Sequence, residues 1–93
     1  MKLHTLYFCN RDSADWTAAD RAEVYGLITT HFPGFTAYQA EGFFEGRCIP
    51  TLVVAIGSDD TDLVTKLAEQ LRQHLNQQAV GLTIDGSYRR ILG

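Results

Sequence analysis

Apolar residues recur at every second position in some segments of the chain and at helical spacing in others. The first pattern predicts strands and the second predicts helices, and the two alternate along the sequence. Residues 2–9 form a β-rich run that stops at residues 10–13, a cluster of turn-forming side chains. Thr17 and Asp20 have the spacing of a helix capping box, and Pro33 closes the segment that follows them. The residues that would share one face of this helix are Val24, Leu27, Ile28 and His31.

The middle of the chain predicts a β-hairpin. In residues 35–44, apolar and polar side chains are mixed on both faces of the predicted strand, so neither face is cleanly apolar. This is typical of an edge strand that meets water or a partner. Gly46 suits the turn, and residues 51–56 are an unbroken aliphatic run, as expected of a central strand. Pro50 lies just before this run, where a missing amide matters least.

The last third of the chain predicts a second helix and a fourth strand. Residues 58–62 supply capping side chains and negative charge, and leucines then recur at helical spacing at positions 63, 67, 71 and 75. Val80, Leu82 and Ile84 alternate as a strand. Residues 85–93 are either a tail or one more short strand.

The predicted order is β-α-β-β-α-β, so we expect an α+β, ferredoxin-like fold. Right-handed crossovers would place both helices on one face of an antiparallel sheet with strand order 4-1-3-2. The other face would stay open. Because monomers rarely expose large apolar patches, that face should be covered by a homodimer contact or used to hold a ligand.

Length and charge narrow the classes of function. A chain of 93 residues can bury one core, so residues 1–93 are expected to form a single domain. The net charge of −3 argues against direct binding of nucleic acid. There is no long apolar run and no signal-peptide pattern, so we expect a cytoplasmic protein without a membrane partner, with Cys9 and Cys48 as reduced thiols.

The sequence contains the segments Leu6-Tyr7-Phe8, Trp16, residues 31–36, Gly42-Phe43-Phe44 and residues 77–80. Together these segments resemble a family of small uncharacterised bacterial proteins with an LYFG, W, RFPxGLT, GxW and QxSV pattern. The chain departs from that pattern at Cys9, where the family tends to have Gly, at Phe44, where it has Trp, and at Pro50-Thr51, where an acidic residue is usual. The resemblance implies a fold and no assigned chemistry.

No nucleophile with its base, phosphate loop or cofactor motif is visible in the sequence. The first hypothesis is therefore a small acidic, non-catalytic protein-interaction module without a cofactor. Its profile fits a phage or mobile-element inhibitor of a host defence complex, whose basic nucleic-acid-binding groove it would occupy. The residues predicted to bind the partner are Arg11, Asp12, Trp16, Gln39, Glu41, Glu45, Arg47, Asp59, Asp60 and Asp62.

Two further hypotheses are open. A dimeric αβ barrel could bind or transform a small apolar molecule, with His4, Tyr7, His31 and Tyr38 lining its pocket. Cys9, Cys48 and His74 are expected at the same end of the fold, where two thiolates and an imidazole would suit Zn²⁺. Their spacing matches no metal motif, so two thiols and a surface histidine are the simpler interpretation.

Overall fold

The structure is a computed structural model that describes residues 1–10 and 15–92, and it contains two helices and five strands in these ranges. The added element is a strand at the end of the chain, so the order is βαββαββ. The elements are β1 (Lys2–Cys9), α1 (Ala18–Thr29), β2 (Thr36–Phe44), β3 (Arg47–Ser58), α2 (Thr61–His74), β4 (Ala79–Ile84) and β5 (Ser87–Leu92).

Both helices begin at side-chain caps. The Oγ1 of Thr17 accepts a hydrogen bond from the Asp20 amide at 3.1 Å, which confirms the predicted start of α1. Asp60 caps α2 by accepting from the Leu63 amide at 3.0 Å, and Asp62 adds negative charge in the first turn. Within the described ranges, neither helix is long and apolar enough to cross a membrane.

The strands form one antiparallel sheet in the order β2-β3-β1-β4-β5. The predicted four-strand order 4-1-3-2 differs from this sheet because β5 adds a fifth strand beside β4. Asp85 and Gly86 make the connection, both with positive φ, 47° and 89°, as a tight two-residue hairpin requires. Asp85 also accepts a hydrogen bond from the Leu3 amide at 2.8 Å, which ties this turn to β1.

The core lies between the helices and one face of the sheet. Alternate residues of β1, β3 and β4 point into it, and Val24, Ile28 and the buried stripe of α2 cover them. The other sheet face, the open face, carries the intervening residues of each strand. The core side chains supplied by the sheet are Leu6, Phe8, Leu52, Val54, Ile56, Val80, Leu82 and Ile84.

The β2–β3 hairpin extends beyond the rest of the sheet. The last β1 partner of β3 is Thr51, so residues 41–50, here called the arm, pair only across the hairpin within the described chain. The base of the arm is held at the Pro50 carbonyl, which accepts from the Asn10 amide at 3.0 Å and from the Trp16 indole at 3.2 Å. Its tip is a two-residue turn at Glu45 and Gly46, both with positive φ.

Candidate functional site

The open face carries a row of side chains that runs across all five strands. Strand pairing places Tyr38 beside Val53, Val53 beside Tyr7, Tyr7 beside Gly81 and Gly81 beside Arg90. Because adjacent strands lie about 4.8 Å apart, Tyr38 and Tyr7 start about 10 Å apart with Val53 between them. Val53 is only 3% exposed although both described helices lie on the other face, so its neighbours on this face shield it. The result is an aromatic surface with an apolar floor.

Glycine at position 81 makes room for a third aromatic ring. A Cβ atom at Gly81 would lie 3.1 Å from the Tyr88 hydroxyl and 3.3 Å from the Tyr7 Cβ. The Tyr88 side chain therefore extends over Gly81 toward Tyr7. The neighbouring row, Thr36, Ala55, Thr5, Thr83 and Tyr88, adds hydroxyl groups beside the rings.

The charge on this face has one sign. Strand alternation places Arg90, and Arg47 on the arm, on the open face, and it places no Asp, Glu or His there among the described residues. Arg90 is exposed and forms no ion pair with the described part of the chain. The described residues of this face thus offer aromatic rings, hydroxyl groups and two guanidinium groups, but no carboxylate or imidazole base.

The ligand-binding residues predicted from the sequence do not come together as one group. Tyr7 and Tyr38 share the open face, whereas His4 lies three positions from Tyr7 and points into the core. The His4 Nε2 is 2.9 Å from the Thr61 Oγ1, and its Nδ1 has no hydrogen-bond partner among the described residues. His31 is exposed just beyond α1, where its amide bonds the Ile28 carbonyl.

The candidate metal ligands are also separated. Cys9 is on the open face, 3.8 Å from the Thr51 Oγ1, whereas Cys48 lies on the opposite face of the arm, and both are free thiols. His74 instead contacts Glu23 of α1 at 3.1 Å. No group of three or more His, Cys, Asp or Glu side chains able to hold a metal is present in residues 1–10 and 15–92.

The residues predicted to form a partner-binding surface have several different roles. Trp16 is 5% exposed and its indole donates to the Pro50 carbonyl at the base of the arm, so its prediction as a partner-binding surface residue is corrected. The N-terminal ammonium, 2.9 Å from Asp59, lowers the pKa of that carboxyl group, and Asp60 is used as a cap. Gln39, Glu41, Glu45, Arg47 and Asp62 are exposed, while Arg11 and Asp12 lie outside the described residues.

The sequence alone does not predict Tyr88 and Arg90 as site residues, because residues 85–93 fit either a tail or a short strand. The available signal was the Asp85-Gly86 pair between two runs of strand-forming residues, which favours a tight hairpin. Once β5 is recognised, residues 88, 90 and 92 fall on one face of it.

No protein-family model and no curated protein matches the chain. Among solved structures, a phage SAM lyase in complex with S-methyl-5′-thioadenosine matches with a TM-score of 0.68 and 16% identity, covering 99% of this chain and 89% of that one. A phage SAM lyase in the apo state matches with a TM-score of 0.64 and 14% identity, with the same coverage. At these identities the likeness establishes a shared fold.

These structures contradict the first hypothesis drawn from the sequence. The prediction of a non-catalytic interaction module that inhibits a host nucleic-acid-binding complex is wrong, because the similar structures are those of an enzyme, one of them with a small molecule bound. They favour the alternative, a domain that binds or transforms a small molecule.

Proposed function

We propose that the protein binds S-adenosylmethionine (SAM) on the open face and cleaves it to S-methyl-5′-thioadenosine. The observation that carries the proposal is the fold match to a SAM lyase over 99% of the chain. The composition of the open face supports it independently, since tyrosine rings suit both an adenine base and a sulfonium cation.

The product defines the bond that breaks. The sulfonium of SAM carries a methyl group, an adenosyl group and an aminobutyryl chain. S-methyl-5′-thioadenosine keeps the methyl and adenosyl groups, so the bond between sulfur and the Cγ of the aminobutyryl chain is the one that is lost. Its electron pair goes to sulfur, which becomes a neutral thioether.

The open face indicates how the Cγ is released. An elimination would need a base for a Cβ proton, and the described residues place no carboxylate or imidazole on this face. The carboxylate of the substrate can instead attack its own Cγ, forming a C–O bond as the C–S bond breaks. The products are a neutral thioether and homoserine lactone, and no water or external base is consumed.

The tyrosines then contribute by binding and by excluding water. Rings of Tyr7, Tyr38 and Tyr88 would attract the sulfonium and stack on the adenine, holding the substrate in a folded shape that brings carboxylate to Cγ. The reaction neutralises a cation and an anion, so a surface that removes water from both favours the transition state over the charged substrate. The shielded Val53 floor supplies such a surface.

The test is incubation of the purified protein with SAM, followed by mass spectrometry of the nucleoside and amino-acid products. We expect S-methyl-5′-thioadenosine and homoserine lactone to form faster than in a protein-free sample, which measures spontaneous breakdown. In water labelled with heavy oxygen the lactone should gain no label when it forms, since its ring oxygen comes from the substrate.

Variants at Tyr7 assign the reaction to the open face. Tyr7→Ala should lower kcat/KM by about tenfold or more, because a cation–π and stacking contact of about 1–2 kcal/mol is lost. Tyr7→Phe keeps the ring and should retain most of the activity. The proposal fails if the protein neither binds SAM in calorimetry nor produces the thioether above the protein-free rate.

A further inference from the structure

Two pairs of exposed apolar side chains lie at opposite edges of the sheet. Phe43 and Phe44, on the arm, are 68% and 65% exposed. Tyr88 and Leu92, on β5, are 64% and 60% exposed. A contact that removed these four side chains from water would be favourable, because burial of apolar surface lowers the free energy.

The arm has little support of its own. Within the described residues it is a two-stranded ribbon beyond the end of β1, with Phe43 and Phe44 on its opposite faces. Isolated two-stranded ribbons are marginally stable in water. A contact that buries both phenylalanines would therefore stabilise the arm as well as cover it.

The charges at the two edges are complementary. Glu41 at the base of the arm and Glu45 at its tip are exposed carboxylates. Arg89 and Arg90 are exposed on β5 and form no ion pair with the described residues. Glu41 and Glu45 outnumber Arg47 on the arm, so a ribbon with net negative charge and two phenylalanines matches a basic edge strand with a tyrosine and a leucine.

The two edges cannot meet within one chain. β2 and β5 are separated by three strands, which is about 19 Å between their axes at the usual strand spacing. We propose that the arm of one molecule packs on the β5 edge of a second copy of the same chain. Such a contact joins different surfaces of the two molecules, so it builds closed rings or open chains. A dimer through matching open faces would instead leave Phe43, on the opposite face of the arm, uncovered.

Charge reversal provides the test, with the mass in solution measured by sedimentation as the readout. The wild-type protein should self-associate with increasing concentration. The double variants Glu41→Lys with Glu45→Lys, and Arg89→Glu with Arg90→Glu, should each raise the dissociation constant about tenfold or more, since like charges then face each other. Combining all four substitutions makes the edges complementary again and should restore association.

Lys66→Glu is the matched control, because it reverses an exposed charge on α2, away from both edges. It should leave the association unchanged, and circular dichroism should show that every variant is folded. A monomer at all concentrations, association insensitive to the reversals, or a quadruple variant that fails to recover would each overturn the proposal. A contact between two arms would appear as insensitivity to the β5 reversal.

Discussion

At the scale of single residues, His4 is a polar side chain held inside the core. It is fully buried between Ile56 and Ile84 on neighbouring strands, and the Thr61 hydroxyl at 2.9 Å is its hydrogen-bond partner. This bond fixes the first residue of α2 against β1. A pocket lined by His4 would need this bond to open, which is why the site is better placed on the other face.

Removing the Thr61 hydroxyl should destabilise the protein measurably. Thr61→Ala leaves a buried imidazole nitrogen without a partner, and we expect the free energy of unfolding to fall by about 1–3 kcal/mol. Thr61→Ser keeps the hydroxyl and should cost less. Urea denaturation of the three proteins checks this, and equal losses for Ala and Ser would show that the hydroxyl contributes no stability through His4.

At the scale of elements, the sequence specified the caps and turns more closely than it specified the number of strands. Thr17 and Asp60 cap the helices as predicted, and Gly46 forms the predicted hairpin turn. These features depend on side chains close in sequence, so local chemistry is enough to find them. β5 depends on pairing with β4, and its exposed residues lack the clear alternation of β4.

Replacement of Gly26 and of Gly46 by alanine should change the stability of the protein in opposite directions. Gly26 is exposed inside α1, with open space where a Cβ would sit, so Gly26→Ala should stabilise the protein by about 0.5–1 kcal/mol. Gly46 has φ of 75°, so Gly46→Ala should destabilise the hairpin by about 1 kcal/mol. Thermal unfolding of both variants tests this, and a shift of the same sign in both would contradict the assigned conformations.

At the scale of the whole molecule, the fold is one-sided: helices cover one face of the sheet and leave the other as the candidate site. Part of this could be predicted, since positions 4 and 7 must point to opposite faces of one strand, which separates His4 from Tyr7. The grouping of Tyr7, Tyr38 and Tyr88 could not. It depends on how β2, β3, β4 and β5 align, and long-range alignment is set by packing rather than by any single segment.

The two faces should differ sharply in their tolerance of charge. Val54 is fully buried against the helices, so Val54→Asp places an unpaired carboxylate in the core and should prevent folding, and Val54→Ala should cost about 2–3 kcal/mol. Thr36, exposed on the open face, is the control, and Thr36→Asp should change stability by about 1 kcal/mol or less. Soluble expression with urea denaturation measures all three. A Val54→Asp protein that unfolds cooperatively would mean that the helices do not cover this face, and the candidate site would then have to be sought elsewhere.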